Sequence, residues 1–234
     1  MRGDVARAAR TGAVVVVTVL VVTAGLYWLG ATHPPRRSVV GTDRLGPDSG
    51  QSVQDYRASA SRGLAAAIGT RWALVTLGTP LDDSAARSLV AGTTPARVAL
   101  HVPIDGVATP TAVVPVTPDA RSSQTARVLA VALLDGAASP GGGTGGIVAQ
   151  DGRRGDEVAS VVTTRLLGGC ACVVGVVVRG PADRLRAIAT DRRVRVVQVL
   201  PADAAGGLVT VVPLLPGQGA GGEPLADDGA VPAR

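Results

Sequence analysis

Residues 172–200 read CVVGVVVRGPADRLRAIATDRRVRVVQVL, and the order of residue types within them decides the fold class. Cys172 to Val178 is a short apolar run bounded by Arg179 and Gly180, the length of a buried strand rather than of a helix. Pro181 to Thr190 then repeats apolar residues at helical spacing, with Pro at the first helical position, where its missing N–H costs nothing. Val194 to Leu200 is a second apolar run. The segment predicts strand, helix, strand.

Residues 72–105, WALVTLGTPLDDSAARSLVAGTTPARVALHVPID, follow the same order. Trp72 to Leu77 and Val98 to Val102 read as strands and Leu81 to Ala91 as the helix between them. Asp82, Asp83 and Ser84 occupy its first turn, where negative charge meets the positive end of the helix dipole, and Gly92 follows its last turn. Both segments close on Pro-x-Asp, at Pro103 to Asp105 and Pro201 to Asp203, so the chain carries two similar β-α-β units about a hundred residues apart. With right-handed crossovers placing both helices on one side, the expected fold class is α/β: an α+β two-layer sandwich, ferredoxin-like.

The intervening residues add to that plan. A helix over Val53 to Ile68 is capped by Ser52 and stopped by Gly69. Ala112 to Val116 is interrupted by Pro115, which cannot donate to a ladder, so it is an edge strand or no strand. A helix from Ser122 to about Leu134 is followed by a Gly-rich insertion, 139–155, and a further helix starts at Asp156 and Glu157 and stops at Gly168 and Gly169. The five glycines among residues 141–146 are not followed by Lys-Ser or Lys-Thr, so they make no phosphate-binding loop. No cofactor motif is present.

Composition limits what this domain can be. Of 234 residues, 31 are Gly and 16 Pro, there is no Phe, and the hydrophobic 46% is mostly Val, Ala and Leu, so small aliphatic side chains form the core. All 23 basic residues are Arg, scattered among 18 acids for a formal charge of +5. No run of five or six like charges appears and no aromatic residues interleave with the arginines, which argues against nucleic acid as a partner.

Upstream of the domain, residues 11–35 contain no charged side chain, and residues 12–30 are almost wholly apolar. Nineteen helical residues reach roughly 28 Å, about the hydrocarbon thickness of a bilayer. Their ten Val and Leu residues contribute on the order of −4 kcal/mol to insertion, with no charge to oppose it. Tyr27 and Trp28 stand where the span meets the headgroups. The expected organisation is a cytoplasmic tail 1–11, a transmembrane helix 12–30 that places the lipid bilayer among the partners, a linker 31–51, an extracytoplasmic domain 52–216 and a disordered tail 217–234. Arginines tie at three on each side of the span, so the short N-terminal tail decides: it stays inside, and the domain faces outward from the cytoplasmic membrane. A cleaved signal peptide is the alternative, with a mature N-terminus near residues 31–33.

Candidate chemistry is sparse. Cys170 and Cys172 are the only cysteines, and i and i+2 share one face of a strand with Cα atoms roughly 6.5 Å apart, at the edge of disulfide geometry. A local disulfide aided by the Gly168–Gly169 turn, two reduced buried thiols, and a redox-active pair in the positive field of Arg165 or Arg179 all stay open. Metal binding lacks ligands, since the chain offers only His33 and His101 beside the cysteines. His101, flanked by Leu100 and Val102, reads as a strand histidine rather than a general base. Asp82, Asp83 and Glu157 read as helix-start residues rather than paired catalytic carboxylates. Arg184, Arg186, Arg192, Arg193 and Arg195 form the densest basic cluster and suit exposed positions, with contact to an anionic surface as the functional alternative. No residue is assigned a catalytic role. Val- and Ala-rich strands with one uncharged edge, and the absence of a reactive constellation, point to a non-catalytic interaction or assembly module with a protein partner. A thiol-disulfide oxidoreductase using the Cys-x-Cys pair is the rival.

Ala-Leu-Val-Thr-Leu at 73–77, Val102-Pro103, Gly-Cys-Ala-Cys at 169–172, Val-Val-Arg-Gly at 177–180, Val-Arg-Val-Val at 194–197 and Pro-Leu-Leu-Pro-x-Gln at 213–218 occur in that order. The chain thereby resembles a group of uncharacterised single-pass membrane proteins of high-GC Gram-positive bacteria, over roughly residues 10–218. The resemblance implies the anchor and brings no activity. The Gly-rich stretch 139–155 departs from the more helical middle of that group.

Overall fold

The computed structural model describes residues 44–116, 122–138, 152–204, 209–219 and 226–233, all within the unit Gly41–Arg234. The expected span 12–30 lies outside them. Among the described residues no helix is long and apolar enough to cross a membrane.

The domain is a mixed α/β fold on a five-stranded antiparallel sheet. Its strands are β2 (Thr70–Leu81), β3 (Thr94–His101), β4 (Thr111–Pro115), β5 (Val173–Pro181) and β6 (Val194–Val199), in the order β4-β3-β5-β2-β6. A two-stranded parallel pair joins β1 (Arg44–Leu45) to β7 (Thr210–Val211). The helices are α1 (Val53–Ala66), α2 (Asp83–Leu89), α3 (Ser122–Ala138), α4 (Gly152–Gly168) and α5 (Ala182–Ala189).

The two β-α-β units interlock. β2 and β3 both pair antiparallel with β5, so the first unit straddles β5; β5 and β6 both pair antiparallel with β2, so the second straddles β2. Neither unit forms a sheet without the other. Alternation along the strands sorts their side chains onto two faces. On one face Ala73, Val75, Leu77, Val98, Leu100, Val176, Val178 and Val197 pack against Ala86 and Leu89 of α2, Ala126 and Ala130 of α3, Val158, Val162 and Leu166 of α4, and Leu185 and Ile188 of α5. Both crossover helices therefore lie on the same side, as expected.

The other face does not stay open. Leu74 and Val177 are buried with Leu45, Leu200 and Val209, and Val196 is buried with Val53, Tyr56 and Ala60 of α1 and with Leu214. A strict two-layer sandwich would leave Leu74 and Val177 in water, so the chain flanking the two units is drawn over them. The linker is corrected on this point: Leu45 is 0% exposed and Arg44–Leu45 pairs with Thr210–Val211. Gly46 at φ 125 is required here, because a Cβ would overlap the Val212 carbonyl.

Other boundaries move for local reasons. α1 is capped by Ser52, whose Oγ accepts from the Asp55 N–H, and it ends at Ala66. α4 begins at Gly152, so residues 152–155 of the expected insertion belong to a helix; residues 139–151 lie outside the described residues. α3 runs on past Gly136 to Ala138. β4 is a strand and lies at the sheet edge, with Pro115 as its last residue. The tail also differs from expectation: residues 226–233 are ordered against the domain, with Gly229 N–H bonded to the Gly106 carbonyl.

Leu45 reports on the added cover. Leu45→Ala should lower the stability of the full chain by about 2 to 4 kcal/mol, the cost of truncating a fully buried Leu, read as a lower urea midpoint. An unchanged midpoint would mean that the domain is complete from Ser52 onward.

Candidate functional site

The best-formed polar cluster surrounds the two cysteines. α4 ends in a Schellman motif: the Cys170 N–H bonds the Arg165 carbonyl at 3.2 Å, the Gly169 N–H bonds the Leu166 carbonyl at 3.3 Å, and Gly169 takes φ 89. The chain then bends before β5 starts at Val173, so Cys172 is not a strand residue as expected. The bend brings the two Cα atoms to 5.3 Å, and Cys170 and Cys172 are joined as a disulfide. Cys172 is fully buried and Cys170 half-buried. The Cys172 carbonyl accepts the His101 N–H at 2.8 Å, which ties the bend to β3.

The charge beside this disulfide comes from a residue the sequence reading passed over. Arg127 of α3 is only 5% exposed. Its Nε and Nη2 donate to Asp83 Oδ2 at 3.0 and 2.8 Å, Nη1 donates to the Leu166 carbonyl at 2.9 Å, and Nη2 to the Cys170 carbonyl at 2.9 Å. Nη1 also stands 3.6 Å from Cys170 Sγ. The pair is favourably placed at helix ends, Asp83 in the first turn of α2 and Arg127 on the last carbonyls of α4. A sequence signal was present: Arg127 directly precedes the apolar run Val128 to Leu134 of the same helix, where a charge that is not exposed must be paired.

The residues named as a positive field lie elsewhere. Arg165 donates to the Pro103 carbonyl at 3.2 Å, and Arg179 is an exposed residue of β5. In the basic cluster, four of the five arginines are directed to four different segments of the chain. Arg184 bonds the Leu89 and Ala91 carbonyls at and just past the end of α2, and Arg186 bonds Asp183 and the Ala65 and Ala67 carbonyls at the end of α1. Arg193 pairs with Asp191, and Arg195 bonds the Leu215 and Gln218 carbonyls. Arg192 is exposed. Hydrogen bonds from Arg193 hold the Asp191 carboxyl well below the usual carboxylate range.

The remaining candidates have structural surroundings. His101 is 4% exposed, and its ring nitrogens lie 3.3 to 3.4 Å from the Thr109 and Thr111 hydroxyls. Burial pushes its pKa down, against an opposing hydrogen bond with the Pro110 backbone. Asp82 caps α2: its Oδ1 accepts from Ser84 Oγ at 2.6 Å and from the Ala85 N–H at 2.8 Å, and these two bonds hold its carboxyl below the usual range. Glu157 is exposed and sits beyond the first turn of α4, which starts earlier than expected. Among the described residues no group of three or more His, Cys, Asp or Glu side chains is arranged to hold a metal ion. A polar cleft of about 280 Å³ lies between β1, α1 and the end of β6, lined by Arg44, Gln51, Tyr56, Ser59 and Gln198 among others. There Tyr56 donates to Gln198 Oε1 at 3.0 Å, and burial pushes its phenol up.

Comparison with protein-family models, with curated proteins and with solved structures returned no match.

Breaking the Arg127 pair from one side leaves Asp83 Oδ2 and the Cys170 carbonyl without the guanidinium, while the Leu166 carbonyl keeps only its bond from the Gly169 N–H. Arg127→Met should therefore cost about 3 kcal/mol, and adding Asp83→Leu should restore part of it, since removing both charges is cheaper than stranding one. A double variant no more stable than Arg127→Met would show that the guanidinium matters for the carbonyls and not for Asp83.

Proposed function

We propose that the chain is a membrane-anchored protein whose extracytoplasmic domain, ferredoxin-like in layout, serves as a non-catalytic interaction or assembly module. The uncharged stretch 12–30 and the resemblance to single-pass membrane proteins support the anchor, and the short N-terminal tail supports the outward orientation. The interlocked order of β2, β3, β5 and β6 supports the ferredoxin-like layout, with β4, α3 and α4 as additions to it.

The observation that carries the functional reading is the edge of β4. The Val116 N–H bonds the Ala96 carbonyl, so by the antiparallel register Val114 and Ala112 also turn toward β3. Thr111 and Val113 then point their N–H and C=O groups away from the sheet, and among the described residues no strand pairs with that edge. The strand reads Thr-Ala-Val-Val-Pro, without the charges that commonly blunt an exposed edge. Its occupant is an extended, uncharged segment of a partner protein that adds as a sixth strand, stopped at Pro115.

The test uses the full chain in membranes, with a photo-crosslinking side chain at position 115 and Val113→Pro as the perturbation. That substitution removes an outward N–H and leaves the bonds to β3 in place. Losing one main-chain hydrogen bond of about 1 kcal/mol should lower the cross-linked yield about fivefold. A yield insensitive to Val113→Pro, or no cross-link at all, overturns the reading.

One contact favours a second reading, a thiol-disulfide oxidoreductase: the 3.6 Å approach of Arg127 to the half-buried Cys170 sulfur. A substrate thiolate would attack Cys170 Sγ and release Cys172 as a thiolate. The second thiolate of the substrate would then displace Cys170, so that a dithiol loses two electrons to the protein disulfide. Arg127 stabilises Cys170 as the leaving thiolate in the second step, whereas Cys172, fully buried, is a poor leaving group in the first. An external low-molecular-weight disulfide would restore the oxidised pair. Under this reading the full chain oxidises a model dithiol peptide with that disulfide as the terminal oxidant, and Cys170→Ser/Cys172→Ser reduces the rate to background. Equal rates for both proteins remove it.

A further inference from the structure

The tail residues 226–233 are held by a site that reads their sequence. Asp227 Oδ1 accepts from the Ala108 N–H at 3.1 Å and from Arg154 Nη2 at 3.0 Å. Arg154 Nη2 also reaches the Asp227 and Gly229 carbonyls, at 3.4 and 2.9 Å. The Gly229 N–H bonds the Gly106 carbonyl at 2.6 Å. Two residues further on, Val231 packs at the margin of the main core.

Shape selects as strongly as charge. A Cβ on Gly229 would stand 2.7 Å from the Asp105 and Gly106 carbonyl oxygens, closer than a side chain tolerates. Gly106 faces it with φ 64, and a Cβ there would stand 3.0 Å from Gly229 Cα. The two backbones meet where neither residue can carry a side chain. Arg154, for its part, sits in the first turn of α4, where a cation opposes the helix dipole and an anion is favoured. A positively charged helix start, an outward backbone N–H and a glycine-sized notch thus converge on one short peptide.

We propose that the Asp105–Thr109 turn and the first turn of α4 form a recognition groove for an Asp-x-Gly-x-Val peptide, and that the chain's own residues Asp227–Val231 occupy it as a releasable latch. The contacts are few and peripheral: Arg154 and Asp227 are 35% and 37% exposed at their side chains, so the segment can leave without opening the core. Tethering holds it at an effective concentration on the order of mM, enough to keep weak competitors out. A second segment of the same chemistry gains access only when the latch is released. This groove is separate from the β4 edge and stands whether or not that edge binds a partner.

The test measures binding of a fluorescently labelled peptide, residues 223–234, to the full chain and to a full-chain variant with Asp227→Ala and Gly229→Val, which cannot latch. The variant should bind the peptide about tenfold or more tightly than the native chain, because the tethered competitor is gone. Adding Arg154→Met should abolish the gain, and a labelled peptide carrying Gly229→Val should not bind. In the native chain the Gly229 amide should also exchange hydrogen about tenfold more slowly than in the isolated 223–234 peptide. Equal affinity of the native and latch-variant chains, equal binding of the Gly229→Val peptide, or unprotected exchange at Gly229 in the native chain overturns the proposal.

Discussion

The central strands β2 and β5 are buried on both faces, and most of the domain is arranged to satisfy that requirement. Six consecutive residues of β5, from Val173 to Val178, are buried, as are Ala73 to Leu77 of β2. A half-buried antiparallel sheet could leave one face polar, but Leu74 and Val177 point away from the crossover helices and have no polar alternative. Their cover comes from outside the two β-α-β units: Leu45 and Val209 from the β1–β7 pair, with Leu200 beside them, while α1 and Leu214 cover Val196 at the edge. This is why chain on both sides of the units, Gly- and Pro-rich and short of periodic pattern, is nevertheless ordered.

Inserting α3 and α4 between β4 and β5 creates a different problem, since the Asp83 carboxylate at the start of α2 and the carbonyls of Leu166 and Cys170 at the end of α4 all turn toward one place. Arg127 answers it with a single side chain that touches α2, α4 and the cysteine bend at once. Such a buried pair adds less stability than its short distances suggest, because desolvating both charges offsets much of their attraction. Its value is positional. Asp83, the Leu166 carbonyl and the Cys170 carbonyl can share one guanidinium in only one arrangement, so the approach of α3, α4 and the disulfide bend to α2 is specified.

The site residues were legible to different degrees, and the difference follows the sequence distance of their partners. The Cys-x-Cys pair, the Ser52 and Asp82 caps and the Gly168–Gly169 stop are local devices whose partners lie within five residues, and each is readable along the chain. The arginines are not. Arg184 bonds a carbonyl 93 residues away, Arg186 one 119 residues away and Arg195 one 20 residues away. A guanidinium that caps a distant helix looks, in sequence, the same as one that faces solvent. Asp227 and Gly229 show the same limit: in a Gly-, Pro- and Asp-rich tail nothing local marks the two residues that meet Arg154 and Gly106.

The sequence by itself determined the order of the elements from α1 to β6 apart from β4, the two similar β-α-β units, the side of the sheet on which their helices lie, that a strand at Ala112 to Val116 could only be an edge strand, and the pairing candidates at Cys170 and Cys172. These follow from periodicity, capping and the handedness of crossovers, which act over a few residues or a single connection. Tertiary structure alone decided that the two units interlock through β5 and β2, that Arg44–Leu45 and Thr210–Val211 join across the second face, that Arg127 rather than Arg165 or Arg179 stands beside the disulfide, and that the tail returns to the Gly106 turn. Each of these depends on which distant groups become neighbours once apolar surface is buried, and burial of a whole sheet is a property of the assembled chain rather than of any segment in it.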